Sequence, residues 1–112
     1  MVVSELLSRL EALAATTQQL LALARAEQWD EVVDAIQVQT AATEAFAQVN
    51  PPAAQLPATV AAELAARLSA VREAHEEAYS RIDAWRDELG RILQDIDGAK
   101  QKSNRLLRAY GG

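Results

Sequence analysis

One stretch of the sequence restricts the fold more than any other, because after Pro57 a single apolar stripe continues for some forty residues at 4-3 spacing. Its clearest members are Leu68, Val71, His75, Ala78, Ile82, Trp85, Leu89, Ile92 and Ile96, preceded by Val60 and Leu64. Residues at this spacing share one side of an α-helix, and pairs such as Glu63 with Arg67 support the same helix. The stretch predicts a helix over residues 58–97, roughly 60 Å long at 1.5 Å per residue.

Two interpretations are open for the end of this helix. Gly98 can act as a C-cap, in which case residues 99–109 form a short fourth helix. Alternatively the helix continues, since Ala99, Ser103, Leu106 and Tyr110 extend the stripe past Gly98. The spacing alone does not decide between them.

Two shorter helices are predicted before the long one. Leu6, Leu10, Leu13 and Leu20 belong to a stripe over residues 4–26, with Ser4 as a candidate N-cap. A second helix over residues 30–49 has Asp30 as its candidate N-cap. The Asn50-Pro51-Pro52 sequence ends this helix, because proline lacks the backbone N–H and disfavours helical geometry in the preceding residue.

The composition agrees with an all-α fold, since alanine and leucine dominate the apolar half of the 112 residues. A short connection between the first two helices implies an antiparallel hairpin, along which the longer helix can pack. We therefore expect one domain, residues 1–112, folded as a small antiparallel bundle of three to four helices with a long third helix.

Charge is unevenly distributed along the chain, whose net charge is −5. Residues 27–50 carry five acids and no base, whereas residues 99–112 carry four bases and no acid. An acidic protein repels phosphate backbones, so we expect no nucleic-acid partner. The basic segment is suited to contact with an acidic surface, either on a partner or on the second helix.

Membrane insertion and disulfides are not expected. No apolar run reaches the roughly 18 residues that a membrane span needs, and the sequence has no cysteine. The lack of a long apolar run and the lack of cysteine both favour a cytosolic location.

Residues for catalysis or metal binding are scarce. The single histidine, His75, lacks the Glu-x-x-His and His-Glu-x-x-His patterns of helical metal sites, and no glycine-rich phosphate loop is present. The arginines lie off the apolar stripes, so they do not form an internal clamp for an acidic substrate. We expect no cofactor, no metal and no enzymatic activity.

The remaining function for such a chain is binding another protein. The third helix is longer than the first two can cover, so part of its stripe needs the C-terminal segment, a second copy or a client helix as partner. Two hypotheses are open: a chaperone that binds a helical client, and a structural protein that assembles with itself. The predicted partner-binding residues are Leu64, Leu68, Val71, His75 and Tyr79 on the third helix, with Val33, Ile36 and Phe46 on the second.

The segment ARAEQWDEVV, which includes Trp29 and Asp30, resembles the helix 1–2 junction of flagellar export chaperones of the FliT type. Pro51-Pro52, the long third helix and the ending Ala109-Tyr110-Gly111 resemble the same family. The resemblance extends over essentially the whole chain, and Trp29, Asp30 and Tyr110 are its structural markers.

The resemblance implies a cytosolic chaperone of flagellar type III export. Such a protein binds the C-terminal helical segment of the filament-cap protein, keeps it unassembled and delivers it to the export ATPase complex. Some members also regulate the flagellar transcription activator. Apart from the resemblance, a homodimer is possible through the part of the third-helix stripe that the first two helices leave uncovered. Trp29 itself is predicted to be structural, with its ring over the end of the bundle where it sets the angle between the first two helices.

Overall fold

The computed structural model describes residues 2–49 and 56–110, and its regular structure is entirely helical. The helices are α1 (Val2–Arg25), α2 (Trp29–Ala47) and α3 (Ala58–Tyr110). By its internal contacts the chain divides into two units, Met1–Arg81 and Ile82–Gly112. The first unit contains α1, α2 and residues 58–81 of α3, and the second contains the rest of α3. The all-α prediction with a long third helix is confirmed.

The third helix continues through Gly98 to Tyr110, which decides between the two interpretations of its end. A Cβ built on Gly90 or Gly98 would meet nothing within 4 Å, so neither glycine is required by close packing. Each costs the helix only about 1 kcal/mol relative to alanine. That cost is too small to end a helix whose neighbouring residues favour it.

The α1–α2 connection is a Schellman turn without glycine. The N–H of Gln28 donates to the carbonyl of Leu23 at 3.0 Å, and the N–H of Glu27 donates to Ala24 at 3.1 Å. Glu27 has a φ of 57°, the left-handed conformation that glycine usually provides at this position. The turn reverses the chain within three residues.

Both N-cap predictions are wrong. Ser4 lies inside α1, which already begins at Val2. Gln28 occupies the N-cap position of α2, its carbonyl accepts from the N–H of Val32 at 2.9 Å, and it makes no side-chain capping bond. Asp30 lies instead in the first turn, where its charge still favours the positive end of the helix dipole. The turn at Glu27 had already set the start of α2, so no capping side chain was needed.

Contacts within the first unit define how its helices run. Arg9 Nη1 donates to the carbonyl of Ala45 at 2.6 Å, which together with the short turn makes α1 and α2 antiparallel. The Arg25 guanidinium binds Glu77, and a shallow depression is lined by Gln18 and Ala70 among others, so α1 and this part of α3 run parallel. The first unit is therefore an up-down-up three-helix arrangement.

The core of the first unit comes mainly from the α1 stripe predicted from the sequence. Its buried apolar residues are Leu6, Leu10, Leu13, Leu20, Leu21, Ala24, Val32, Ala74 and Ala78. Leu10 and Leu20 are fully buried, each worth about 1.5–3 kcal/mol relative to exposure. Because α2 contributes Val32 to this set and α3 contributes Ala74 and Ala78, most of the buried apolar side chains of the unit come from α1.

Candidate functional site

The predicted partner-binding residues of α3 lie on one side of the helix and are only partly buried. Leu64, Leu68, Val71, His75 and Tyr79 all have intermediate exposure. The rings of His75 and Tyr79 stack with centroids 4.3 Å apart and an interplanar angle of 32°. These side chains keep accessible surface that a docked partner could cover.

The predicted α2 residues fall into two groups. Ile36 and Phe46 are partly buried, whereas Val33 is 48% exposed beside the fully buried Val32. The Gln39 side chain links α2 to α3 through His75, and the antiparallel register extended from that contact places Phe46 level with Leu68. The register thus brings Phe46 close to the α3 residues, while Val33 remains largely in solvent.

A small polar cluster lies behind this face. Gln39 is 3% exposed, and its Nε2 donates to Thr17 Oγ1 at 3.4 Å and lies 3.3 Å from His75 Nδ1. Because an amide NH₂ can only donate, this contact is a hydrogen bond in the His75 tautomer whose Nδ1 carries no proton. The cluster connects all three helices of the first unit by polar contacts, which favour one register over its neighbours.

An ion-pair cluster fixes the C-terminal end of α1 to α3. Arg25 binds Glu77 in a bidentate geometry, Nε to Oε2 at 2.6 Å and Nη2 to Oε1 at 2.7 Å, and Arg81 Nε lies 3.1 Å from the same carboxylate. The hydrogen bonds from Arg25 lower the pKa of Glu77 to about 2, with a smaller contribution from Arg81. The same pairing raises the pKa of Arg25. Glu77 is therefore ionised throughout the physiological range.

The opposite side of the α1–α2 hairpin carries an open groove. Small and apolar side chains line it, including Ala15, Ala35 and Val38, with Glu31 and Asp34 at its margin. Val38 is 58% exposed. None of the predicted partner-binding residues lines this groove, so it is separate from the predicted site.

The largest exposed apolar side chains lie elsewhere, in the second unit. They are Leu89, Ile92, Leu93, Ile96, Leu106 and Leu107, between 39% and 65% exposed. The predicted stripe includes Leu89, Ile92 and Ile96, but the predicted partner-binding residues lie nearer the start of α3. The signal that could have found this surface was the continuation of the stripe beyond the reach of the two shorter helices.

The structural markers occupy the ends of helices. Trp29 is the first residue of α2 and is partly buried, and Asp30 follows it, exposed. Tyr110 ends α3, but its side chain, like Pro51-Pro52 and Gly111, lies outside the described residues. A role for the Trp29 ring in setting the hairpin angle stays a prediction.

Two further features are absent from residues 2–49 and 56–110, the part of the chain that the structure describes. Among these residues no three His, Cys, Asp or Glu side chains are grouped closely enough to hold a metal ion. Nor does any helix in that part of the chain combine the length and hydropathy required to span a membrane.

These features define a class of protein: an all-α bundle whose accessible apolar stripes are suited to binding other helices. Over residues 7–112 the sequence matches the family described as Flagellar protein FliT. Because the match extends over nearly the whole chain, the protein belongs to the FliT family, which confirms the resemblance seen at Trp29. Neither the curated proteins nor the solved structures gave a match.

Membership establishes the general role. FliT proteins are chaperones of flagellar biogenesis and not enzymes, and this role involves binding flagellar proteins.

Proposed function

We propose that this protein is a cytosolic export chaperone for the flagellar filament-cap protein. It binds the C-terminal helical segment of that client, keeps it unassembled and delivers it to the export ATPase complex. Contact with the flagellar transcription activator is a second proposed activity. The observation that carries the proposal is the FliT match over residues 7–112, on a fold that keeps apolar side chains accessible.

The proposed client site is the predicted face of α3 with its neighbours on α2. Leu64, Leu68 and Val71 recur at i, i+4 and i+7, the spacing at which one helix presents anchors to another. Phe46, level with Leu68, supplies an aromatic side chain from α2. A client helix laid along this face would remove the remaining exposed area of these side chains from water, which contributes about 25 cal/mol per Å².

Binding by such a face would also hold the client unassembled. An amphipathic helix that polymerises through its apolar side cannot do so while that side is covered. Half-buried anchors suit this task because they contribute modest affinity. The client can therefore be released at the export apparatus.

The test measures capture of the cap protein's C-terminal helical peptide by purified chaperone. We expect Leu68→Asp and Val71→Asp to weaken binding at least about tenfold, because each buries a charge under the docked helix. Ser69→Asp is the matched control, since it adds the same charge to the adjacent, exposed position. Circular dichroism checks that all three variants remain helical. Wild-type affinity in the Leu68 and Val71 variants would exclude this face as the client site.

The alternative, a structural protein that assembles with itself, draws support from the exposed leucines and isoleucines of the second unit. Light scattering with and without the cap peptide separates the two functions. A structural protein would form oligomers of fixed size and ignore the peptide. A chaperone would form a defined complex with it.

A further inference from the structure

The second half of α3 keeps a seven-residue repeat whose a and d positions, five apolar residues and one serine, are open to solvent. With Leu89 as position a and Ile92 as position d, Ile96, Ala99, Ser103 and Leu106 continue the alternation, and all six are exposed. A strict seven-residue repeat follows a supercoiled partner helix better than a straight packing surface does. Helices gain most of their stability from covering such a stripe.

Charge along this segment is strongly asymmetric. Residues 82–97 contain five acids and two arginines, whereas residues 98–110 contain four bases and no acid. In a parallel pair, the basic residues 98–110 of one copy would lie against the same basic residues of the other. Two antiparallel copies would place the basic part of each against the acidic part of the other.

We propose that residues 89–107 pair with the same segment of a second copy of this chain as an antiparallel coiled coil. This interface is independent of the client site proposed on the first half of α3.

The residues at positions a and d form the seam between the two paired helices, and their sizes select one antiparallel register. In that register Leu89 lies against Leu106 of the second copy, Ile96 against Ala99 and Ile92 against Ser103. Each small residue then faces a branched apolar one, so the four inner layers have similar volumes and lie between two outer Leu–Leu layers. In a parallel pair Ala99 would face Ala99 and Ser103 would face Ser103, which leaves two adjacent underfilled layers.

The flanking charges select the same register. Position g carries Asp95 and Lys102, and antiparallel helices bring g positions together, so Asp95 of each copy faces Lys102 of the other. Shifting the pairing by one heptad in either direction would place Asp95 against Asp95 or Lys102 against Lys102. Leu93 and Leu107 occupy two of the three e positions, with Lys100 at the third, and these two leucines extend the apolar width of the interface.

Cysteine cross-linking tests the geometry, because the native sequence has no cysteine. Purified Leu89→Cys and Leu106→Cys chains are mixed and oxidised under exchanging conditions. We expect disulfides between Cys at 89 and Cys at 106 in preference to either homotypic pair. Gln94→Cys and Gln101→Cys, on the outer side of the helix, give the background level. Mainly homotypic disulfides, or mixed disulfides no more abundant than this background, would overturn the proposal.

Sedimentation of the full chain tests the charges without altering the apolar seam. We expect a concentration-dependent dimer that Asp95→Lys weakens about tenfold, with recovery in Asp95→Lys/Lys102→Asp. Asp97→Lys makes the same charge change off the seam and should leave the dimer unchanged. A wild-type chain that is still monomeric at about 1 mM, or recovery by Lys100→Asp in place of Lys102→Asp, is incompatible with the proposed interface.

Discussion

At the scale of single residues, polar side chains determine how the helices of the first unit align. Leucine stripes favour packing but tolerate sliding, because one leucine can replace another in the same hole. Gln39 and Glu77 each have specific partners on other helices, and a shift of one turn would separate them. Register in this bundle therefore depends on a few polar contacts within a largely apolar interface.

Gln39→Leu tests this role for the buried amide. The substitution keeps the volume but removes the contacts to Thr17 and His75, and we expect it to lower the free energy of unfolding by about 1 kcal/mol in urea titrations. Gln37→Leu, at an exposed position two residues earlier, is the control and should have almost no effect. Equal effects of the two changes would show that the amide contacts add nothing to stability.

Because of Glu77, the stability of the fold should change with pH in the acid range. Its pKa is about 2 in the folded protein and ordinarily 4.5, mainly because Arg25 hydrogen-bonds the carboxylate. The group therefore contributes stability above pH 4.5 that is lost as the pH falls towards 2. We expect Glu77→Gln to lower the Tm at pH 7 by a small, salt-sensitive amount and to approach the wild-type value near pH 2. Glu76→Gln, exposed on the same helix, should show no such convergence.

At the scale of elements, helix ends follow backbone geometry more closely than capping side chains. Residues 26–28 close α1 and open α2 through main-chain hydrogen bonds alone, with Glu27 in a conformation unfavourable for a residue with a Cβ. The sequence predicts Ser4 and Asp30 as N-caps and offers Gly98 as one possible C-cap of the third helix. Both signals were misleading here: Ser4, Asp30 and Gly98 all lie inside helices.

Glu27→Gly should relieve the strain in this turn. Glycine adopts positive φ without steric cost, so we expect the free energy of unfolding to rise by about 0.5–1 kcal/mol. Glu27→Ala removes the same charge but keeps the Cβ, and it should give no such gain. Thermal and urea unfolding measure the stability of both variants. If alanine stabilises the protein as much as glycine does, the gain comes from removing the charge and not from relieving the positive φ.

At the scale of the whole molecule, burial is concentrated in the first unit and exposure of large apolar residues in the second. The core predicted on α1 is confirmed by Leu10, Leu13 and Leu20. The apolar stripe of α3 was also predicted from its 4-3 spacing, but the spacing did not show which residues of the stripe are accessible. The predicted partner-binding residues therefore stay a proposal, and the exposed residues 89–107 were not among them.

Leu10→Ala tests how far the first unit depends on its central layer. Leu10 is fully buried, so its truncation should lower the free energy of unfolding by about 3 kcal/mol through lost burial and a residual cavity. Val38→Ala, 58% exposed on α2, should change it by less than about 0.5 kcal/mol. Chemical denaturation followed by circular dichroism gives both values, and similar losses would contradict the assignment of the core.

The sequence by itself determined the helices, the long third element, the α1 core stripe and the family. These depend on local helix propensity, on the periodicity of apolar residues and on the residues around Trp29, all of which can be read from the sequence alone. Only the tertiary structure decided that α3 runs through Gly98, that Glu27 closes α1, that Gln39 is buried and which apolar residues stay exposed. Those outcomes depend on small differences between competing backbone and packing energies, which the spacing of residues in a sequence does not report.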